Sequence, residues 1–189
     1  MAEALLRAHL VDRAPGVVVG SAGLRFDGHP AERNALKAMA KRGIDLSGFS
    51  SRILSAPLLE GASVILTMEQ MHVREIAMMG DALFARTFTL PEFVDLAEAH
   101  GSRLGGTLEQ WMQPMGADRS PQQYLGSNPS REVRDPIGQS ARAFRSCADQ
   151  LDGLLDRLVD LAWPLPAPAG DPHHETPQPG GIHADRDRL

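Results

Sequence analysis

The chain has 189 residues, 42% of them hydrophobic and 23% charged, which is enough to bury the core of one globular domain. The formal charge of −5 and the pI near 5.8, without a run of lysine or arginine, argue against a general affinity for nucleic acid or anionic membranes. The single cysteine, Cys147, excludes an intramolecular disulfide and any metal site built from several cysteines. We find neither a secretory signal pattern nor the roughly 18 apolar residues of a membrane span, so we expect a cytoplasmic protein without nucleic-acid or membrane partners.

The first part of the sequence predicts a helix, a strand and a second helix. The first ten residues carry apolar side chains at helical spacing on one face. Val17 to Val19 is a β-branched run that leads into the sequence GSAG at 20–23, a pattern typical of a buried strand that ends in a tight loop. Ala31 to Arg42 is rich in helix formers, and Gly43 supplies a stop.

Two further strand and helix pairs follow. Ala62 to Thr67, ASVILT, is apolar without alternation, as expected for a strand covered on both faces of a parallel sheet, and Gln70 to Met79 follows as its helix. A shorter strand, Ala85 to Phe88, leads to Thr89-Leu-Pro-Glu92, which has the form of a capping box with an early proline and predicts another helix start. This alternation predicts an α/β fold.

The last part of the sequence is less regular. Residues 101–134, which we name the excursion, are rich in Gly, Pro, Ser and Gln and predict one short helix at most. From Ser140 to Leu161 an apolar stripe at helical spacing predicts a long amphipathic helix. Beyond Trp163 the sequence is proline-rich without periodicity. We therefore predict a domain over 1–161 and a disordered tail over 162–189.

Five short blocks stand in a fixed order along the chain: AEALLR, SAG, RGIDLSGFSSR, VILTMEQMHV and RDPIGQSARAF. In this order and spacing they resemble the low-molecular-weight protein tyrosine phosphatase family, and the resemblance spans residues 1 to about 161. It implies a three-layer α/β sandwich, with helices on both faces of a short parallel sheet of strand order 2-1-3-4. It also implies hydrolysis of phosphomonoesters, in phosphotyrosine proteins or small molecules, through a cysteinyl-phosphate intermediate and without a cofactor.

The resemblance implies that one part of the family's machinery is missing from these 189 residues. In family members the first strand ends in a phosphate-binding loop of the form Cys, five residues, Arg-Ser-Pro, and Met-Ala-Glu-Ala often follows. Met1 begins the same four residues here. We therefore expect the first, central strand and the loop with its nucleophilic cysteine and arginine to be absent. The chain as it stands is then expected to be inactive, because it lacks both residues. We expect a misplaced start codon to be the origin of this absence.

Two other functions stay open. A non-catalytic relative could bind a partner through the helices and the excursion. An arsenate reductase can share this fold, but it needs several redox cysteines, and the chain has one. The excursion itself could bind a substrate protein or cover the edge of the sheet, and the sequence favours neither role.

The candidate catalytic residue is Asp135, followed by Pro136. By resemblance Asp135 matches the general acid that protonates the leaving phenolate and later accepts a proton from the attacking water. Pro136 would keep the loop extended and support it. The Asp-Pro dipeptide alone is more typical of an ordinary turn than of a catalytic acid. Its position after the other blocks and before a long helix favours the catalytic interpretation.

Two further residues are weaker candidates. Ser21 matches a serine that supports the phosphate loop by hydrogen bonding, although turn chemistry at a strand end would also explain it. Phe26 lies where family members present an aromatic wall to the substrate ring, and a core position is an equal alternative.

The sequence also departs from the family pattern at four positions. Phe49 stands where members commonly have a histidine of the loop-supporting network. Ile137 and Gly138 stand where many members have aromatic residues that hold the phosphotyrosine ring, and Glu69 replaces an aspartate. These departures put the preference for tyrosine in question.

The remaining candidates for chemistry have simpler interpretations. Cys147 lies on the apolar stripe of the last helix, so we expect a core residue and a poor nucleophile. His173, His174 and His183 lie in the predicted tail, where no fixed geometry would hold a metal ion. We therefore predict no metal site.

Overall fold

The computed structural model describes residues 1–126 and 128–165, so most of the predicted tail at 162–189 lies outside the described residues. Within them, eight α-helices and two strands follow one another: α1 (Ala2–Leu10), α2 (Arg33–Ala40), α3 (Ala56–Glu60), β1 (Ile65–Thr67), α4 (Gln70–Ala77), α5 (Asp81–Phe84), β2 (Thr87–Thr89), α6 (Leu90–His100), α7 (Leu108–Gly116) and α8 (Ala141–Ala162). Two 3-10 turns, Pro121–Tyr124 and Pro129–Arg131, lie between α7 and α8.

The sheet confirms the predicted α/β class. β1 and β2 pair in parallel, with Ile65 opposite Thr87, Leu66 opposite Phe88 and Thr67 opposite Thr89. Consecutive residues of a strand point to opposite faces, and all three residues of β2 are fully buried. Both faces of β2 are therefore covered. β1 lies inside the segment predicted at 62–67, and β2 overlaps the segment predicted at 85–88 and ends one residue after it. Both strands are shorter than predicted.

The prediction of a strand at Val17 to Val19 is wrong. These residues form no strand, and Val18 is 95% exposed. The nearest pairing is a single parallel bridge between Gly23 and Ile53. A strand gains its hydrogen bonds only from a neighbour. In the predicted order 2-1-3-4 that neighbour is the central strand, which the described residues do not contain.

The second edge of β1 is open among the described residues. The N–H of Ile65 donates to the carbonyl of Arg86, beside β2, at 2.8 Å. Because alternate residues of a parallel strand bond to opposite neighbours, the N–H and C=O of Leu66 face away from β2. No described residue pairs with them. Leu66 and Val64 are half-buried against the core.

Helix α8 confirms the predicted long amphipathic helix. The Oγ of Ser140 accepts the N–H of Ala143 at 3.4 Å and caps its first turn. Its apolar stripe packs against α1, α2 and α6. The buried residues of this stripe are Phe144, Cys147, Ala148, Leu151, Leu154, Leu155, Leu158, Val159 and Ala162. The core of the protein therefore lies between α8 and the helices that surround it.

The excursion covers the outer edge of β2. It contains α7, which a Thr107–Gln110 capping box begins, and the two 3-10 turns. Arg119 donates a hydrogen bond to the carbonyl of Thr87, on the side of β2 that faces away from β1. Its guanidinium carbon lies 3.8 Å from the centroid of the Phe88 ring. Of the two roles left open by the sequence, these contacts support the covering of the sheet edge.

A buried carboxylate holds the excursion in place. The side chain of Glu92 in α6 is 5% exposed, and its Oε1 accepts the hydroxyl of Tyr124 at 2.5 Å. The Nε of Arg119 donates to the same hydroxyl at 2.8 Å and lies 3.4 Å from Glu92 Oε1. Burial, together with the hydrogen bond to Glu92, raises the pKa of Tyr124, so the hydroxyl keeps its proton and remains a donor.

Replacement of Arg119 by methionine is expected to lower the free energy of unfolding by about 3 kcal/mol, because the carboxylate of Glu92 loses its closest cation in a buried site. Urea unfolding followed by circular dichroism measures this change. The matched control is Arg157→Met, which breaks an ion pair with Glu98 whose side chains are 49% and 42% exposed. The control is expected to lose less than about 1 kcal/mol. Equal losses in the two variants would contradict the role given to Arg119.

Candidate active site

The thiol of Cys147 is influenced by two charged groups, the amino group of Met1 at the start of α1 and the carboxylate of Asp135. Burial is the main cause that raises the pKa of Cys147. The positive N-terminal amino group of Met1 opposes this shift, whereas the carboxylate of Asp135 adds to it. The N-terminal end of a helix offers free N–H groups and partial positive charge to an anion. The surroundings of Cys147 therefore include a helix N-terminus and a carboxyl group.

The turn at Asp135 holds its carboxylate without burying it. The Oδ1 of Asp135 accepts the N–H of Ile137 at 2.9 Å, and the side chain of Gln139 donates to the carbonyl of Asp135 at 3.0 Å. Pro136 is buried, while Asp135 itself is exposed. A carboxyl group in this setting can exchange protons with a bound ligand or with water.

The segment that leads into this turn is attached to the end of β1. The N–H of Val133 donates to the carbonyl of Met68 at 2.8 Å. Val133 is buried and lies two residues before Asp135, whereas Met68 directly follows β1. The candidate acid is thus placed at the carboxyl end of the sheet, where ligands bind in open α/β folds.

Ser21 ties its loop to the first turn of α1. The Oγ of Ser21 donates to the carboxylate of Glu3, which also pairs with Arg7 at 2.7 Å. Arg7 donates to the carbonyl of Val19 from Nε at 3.2 Å, and Arg52 donates to the carbonyl of Ser21 from Nη2 at 3.1 Å. Ser21 is a residue that the sequence predicts, whereas its contacts with Glu3 and Arg52 have no signal in the sequence. The spacing of Glu3 and Arg7, four residues apart on a helix, was the signal for their pairing.

Phe26, the candidate wall for a substrate ring, and Ile137, which replaces an expected aromatic residue, are both exposed. Phe26 is 52% exposed and its ring lies 5.2 Å from that of His29, measured between centroids. Ile137 is 59% exposed beside Asp135. No hydrogen bond or ring contact of the described residues brings Phe26 to the turn at Asp135, so its role as an aromatic wall stays a prediction. Phe49, which replaces the expected histidine, packs against the core instead.

Cys147 is a core residue, as predicted. It is 8% exposed and lies in the main apolar cluster with Phe144 and Leu151. Among the described residues, no group of three or more His, Cys, Asp or Glu side chains could hold a metal ion. His173, His174 and His183 lie outside them. Within residues 1–126 and 128–165, no helix is both long and apolar enough to cross a membrane.

Comparison with known proteins identifies related sequences and folds. The family model described as "Low molecular weight phosphotyrosine protein phosphatase" matches residues 1–104. The "Probable low molecular weight protein-tyrosine-phosphatase EpsP" of Ralstonia nicotianae is 36% identical over 107 residues, which cover 55% of this chain and 71% of that protein. The "Protein-arginine-phosphatase" of Geobacillus stearothermophilus is 26% identical over 161 residues, which cover 85% of this chain and 84% of that protein.

A solved structure supports the same fold. The low molecular weight protein tyrosine phosphatase from T. tengcongensis superposes on this chain with a TM-score of 0.62. The superposition covers 84% of this chain and 87% of that chain at 24% sequence identity. The likeness therefore extends beyond residue 104 to the arrangement of the later helices.

Alkylation of Cys147 is expected to be about a hundredfold slower in the folded chain than in concentrated urea, because burial excludes the reagent and a raised pKa lowers the thiolate fraction. Trapping with iodoacetamide at about pH 8 and mass spectrometry measures both rates. The unfolded chain is its own control, since it contains the same single thiol. Equal rates would show that Cys147 is accessible and available for chemistry.

Proposed function

Because the chain belongs to the low molecular weight phosphotyrosine protein phosphatase family, we propose that it supplies the helical frame and the general acid of a protein tyrosine phosphatase. The observation that supports this most directly is the position of Asp135. Its carboxylate is exposed, and the segment that carries it is bonded through Val133 to Met68 at the carboxyl end of β1, where ligands bind in open α/β folds. A phosphoprotein or a small phosphomonoester is the proposed substrate.

The proposed reaction has two displacement steps. A cysteine thiolate attacks phosphorus, the bond from phosphorus to the phenolic oxygen breaks, and Asp135 gives its proton to the departing oxygen. Water then attacks the cysteinyl phosphate, the carboxylate of Asp135 accepts a proton from this water, and phosphate leaves with the thiolate restored. Both steps use only side chains and water, so the proposal includes no cofactor.

The nucleophile of this reaction is not among the 189 residues. Their one cysteine, Cys147, is followed six positions later by Gly153 and not by an arginine. We propose that a strand and a Cys-x5-Arg-Ser-Pro loop are encoded directly upstream of Met1. The open edge of β1 supports this proposal, because a further parallel strand could pair there with the N–H and C=O of Leu66.

Three further residues have proposed supporting roles. Pro136 keeps the acid turn extended, and its burial fits this role. Ser21 supports the phosphate loop, since its side chain joins residues 20–23 to α1 through Glu3. Phe26 forms one wall of the substrate cleft, for which its exposed ring is available.

A phosphoarginine side chain is a second candidate substrate. The alignment with the protein-arginine-phosphatase spans 85% of this chain. Ile137 and Gly138 also replace the aromatic residues that would favour a phosphotyrosine ring. This candidate uses the same nucleophile and the same acid, so it differs from the first only in the walls of the cleft.

The first test is the coding sequence upstream of Met1, followed by expression of the extended protein. We expect the extended protein to hydrolyse para-nitrophenyl phosphate, and the 189-residue chain to show no turnover above buffer, because it has no thiolate in a phosphate-binding loop. A phosphotyrosine and a phosphoarginine peptide, compared by kcat/KM, distinguish the two substrates. An in-frame stop near Met1, or an upstream frame without the loop, would replace this proposal with a non-catalytic binding protein.

In the extended protein, Asp135→Ala is expected to lower kcat at least about a hundredfold, because the leaving oxygen departs without a proton. The matched control is Asp12→Ala, which removes an exposed carboxylate at the far end of α1 and is expected to leave kcat within about twofold. Steady-state kinetics with phenyl phosphate measures both. Full activity of Asp135→Ala would exclude Asp135 as the acid.

A further inference from the structure

We propose that Gln70 is a positioning residue, which clamps residues 128–133 onto the carboxyl end of β1 and thereby sets the place of Asp135. The part of this inference that concerns catalysis rests on the proposed function. The clamp itself is a set of hydrogen bonds in the 189-residue chain.

Gln70 holds both ends of a five-residue stretch. It is the first residue of α4 and is 2% exposed. Its side-chain Oε1 accepts the backbone N–H of Asn128 at 2.8 Å. Its own backbone N–H donates to Oε1 of Glu132 at 3.1 Å. One residue therefore fixes positions 58 and 62 residues further along the chain.

The stretch between the two contacts is internally braced. The Oδ1 of Asn128 accepts the N–H of Ser130 at 3.2 Å and its hydroxyl at 2.7 Å. These bonds begin the 3-10 turn Pro129–Arg131. The two contacts with Gln70 therefore flank a turn that has hydrogen bonds of its own. The bond from Val133 to Met68 then continues the attachment to within two residues of Asp135.

The polar side chain of Gln70 indicates a hydrogen-bonding role at this buried position. A methionine or leucine would fill the same buried space without the cost of removing an amide from water. The amide is retained because it satisfies the N–H of Asn128, which would otherwise lose a partner. Proton transfer to a leaving oxygen depends on the place of the acid to within a fraction of an ångström. Gln70 supplies that constraint from the neighbouring helix.

Hydrogen exchange of the 189-residue chain tests the clamp without any activity. Gln70→Met removes the acceptor and keeps the size of the side chain. We expect exchange at the amides of Asn128 and Val133 to become about tenfold faster, while the amides of α8 keep their wild-type rates. The matched control is Thr107→Val, which also removes one side-chain acceptor of a backbone N–H, at the cap of α7. It is expected to leave residues 128–135 unchanged.

A second pair of variants keeps the test independent of Gln70 itself. Glu132→Met removes the acceptor for the N–H of residue 70, and Glu132→Gln keeps an oxygen at the same reach. We expect the first to repeat the local acceleration and the second to restore wild-type exchange. The clamp is wrong if Gln70→Met changes exchange at 128–135 by less than about twofold, if it accelerates all amides evenly, or if Glu132→Gln behaves as Glu132→Met.

Kinetics of the extended protein separate the clamp from the proposed function. Gln70→Met should lower kcat about tenfold for phenyl phosphate, whose leaving group needs a proton, with KM unchanged and a smaller loss for para-nitrophenyl phosphate. In the Asp135→Ala background it should have no further effect. Local acceleration of exchange with unchanged kcat for both substrates, while Asp135→Ala still lowers kcat, would overturn the inference that the clamp positions Asp135 and leave the proposed function standing. Full activity of Asp135→Ala would instead overturn the proposed acid.

Discussion

The packing of α1, α2 and α6 against α8 is the interaction on which the rest of the structure depends. The sheet consists of two strands of three residues each, so its hydrogen bonds alone cannot hold the chain together. The apolar stripe of α8 runs through the main core cluster. Both parts of the candidate site are attached to this helix, because α1 packs on it and the Asp135 turn leads directly into it.

The polar margin of α8 adds to this packing. Asp149 pairs with Arg42, which lies just after α2. Asp160 pairs at 2.6 Å with Arg13, which lies just after α1. The Oδ1 of Asp152 accepts a hydrogen bond from Nε2 of His9 at 2.9 Å. These contacts join the same helices that the core joins, and the aspartates are 42% exposed or more, so each contributes modestly. Together they orient α1 and α2 around a helix that hydrophobic burial has already brought together.

Sequence patterns predicted the elements whose signals are local. Ser140 with its apolar stripe and the Thr89–Glu92 capping box each lie within one helix, and both are present. The strand predicted at Val17 to Val19 failed because β-branched residues favour a strand only where a neighbour pairs with it. The contacts of Arg119 with Phe88 and Thr87 could not be predicted, since no local pattern relates residues so far apart in sequence.

In the candidate site too, the features with a local sequence signal were predicted and the contacts between distant residues were not. The Asp-Pro turn was found because its residues are adjacent and resemble a family motif. The charged partners of Ser21 and the two contacts of Gln70 were not found, because they join separate segments that only the fold brings together.

The open edge of β1 has a geometric consequence of its own. A parallel strand beside Leu66 can shift only in steps of two residues, about 7 Å, because a single step turns its side chains to the opposite face. The alternative positions of such a strand are therefore about 7 Å apart, which is longer than a hydrogen bond. The residue that leads from the strand toward α1 then has one position, because the next register would move it out of hydrogen-bonding reach.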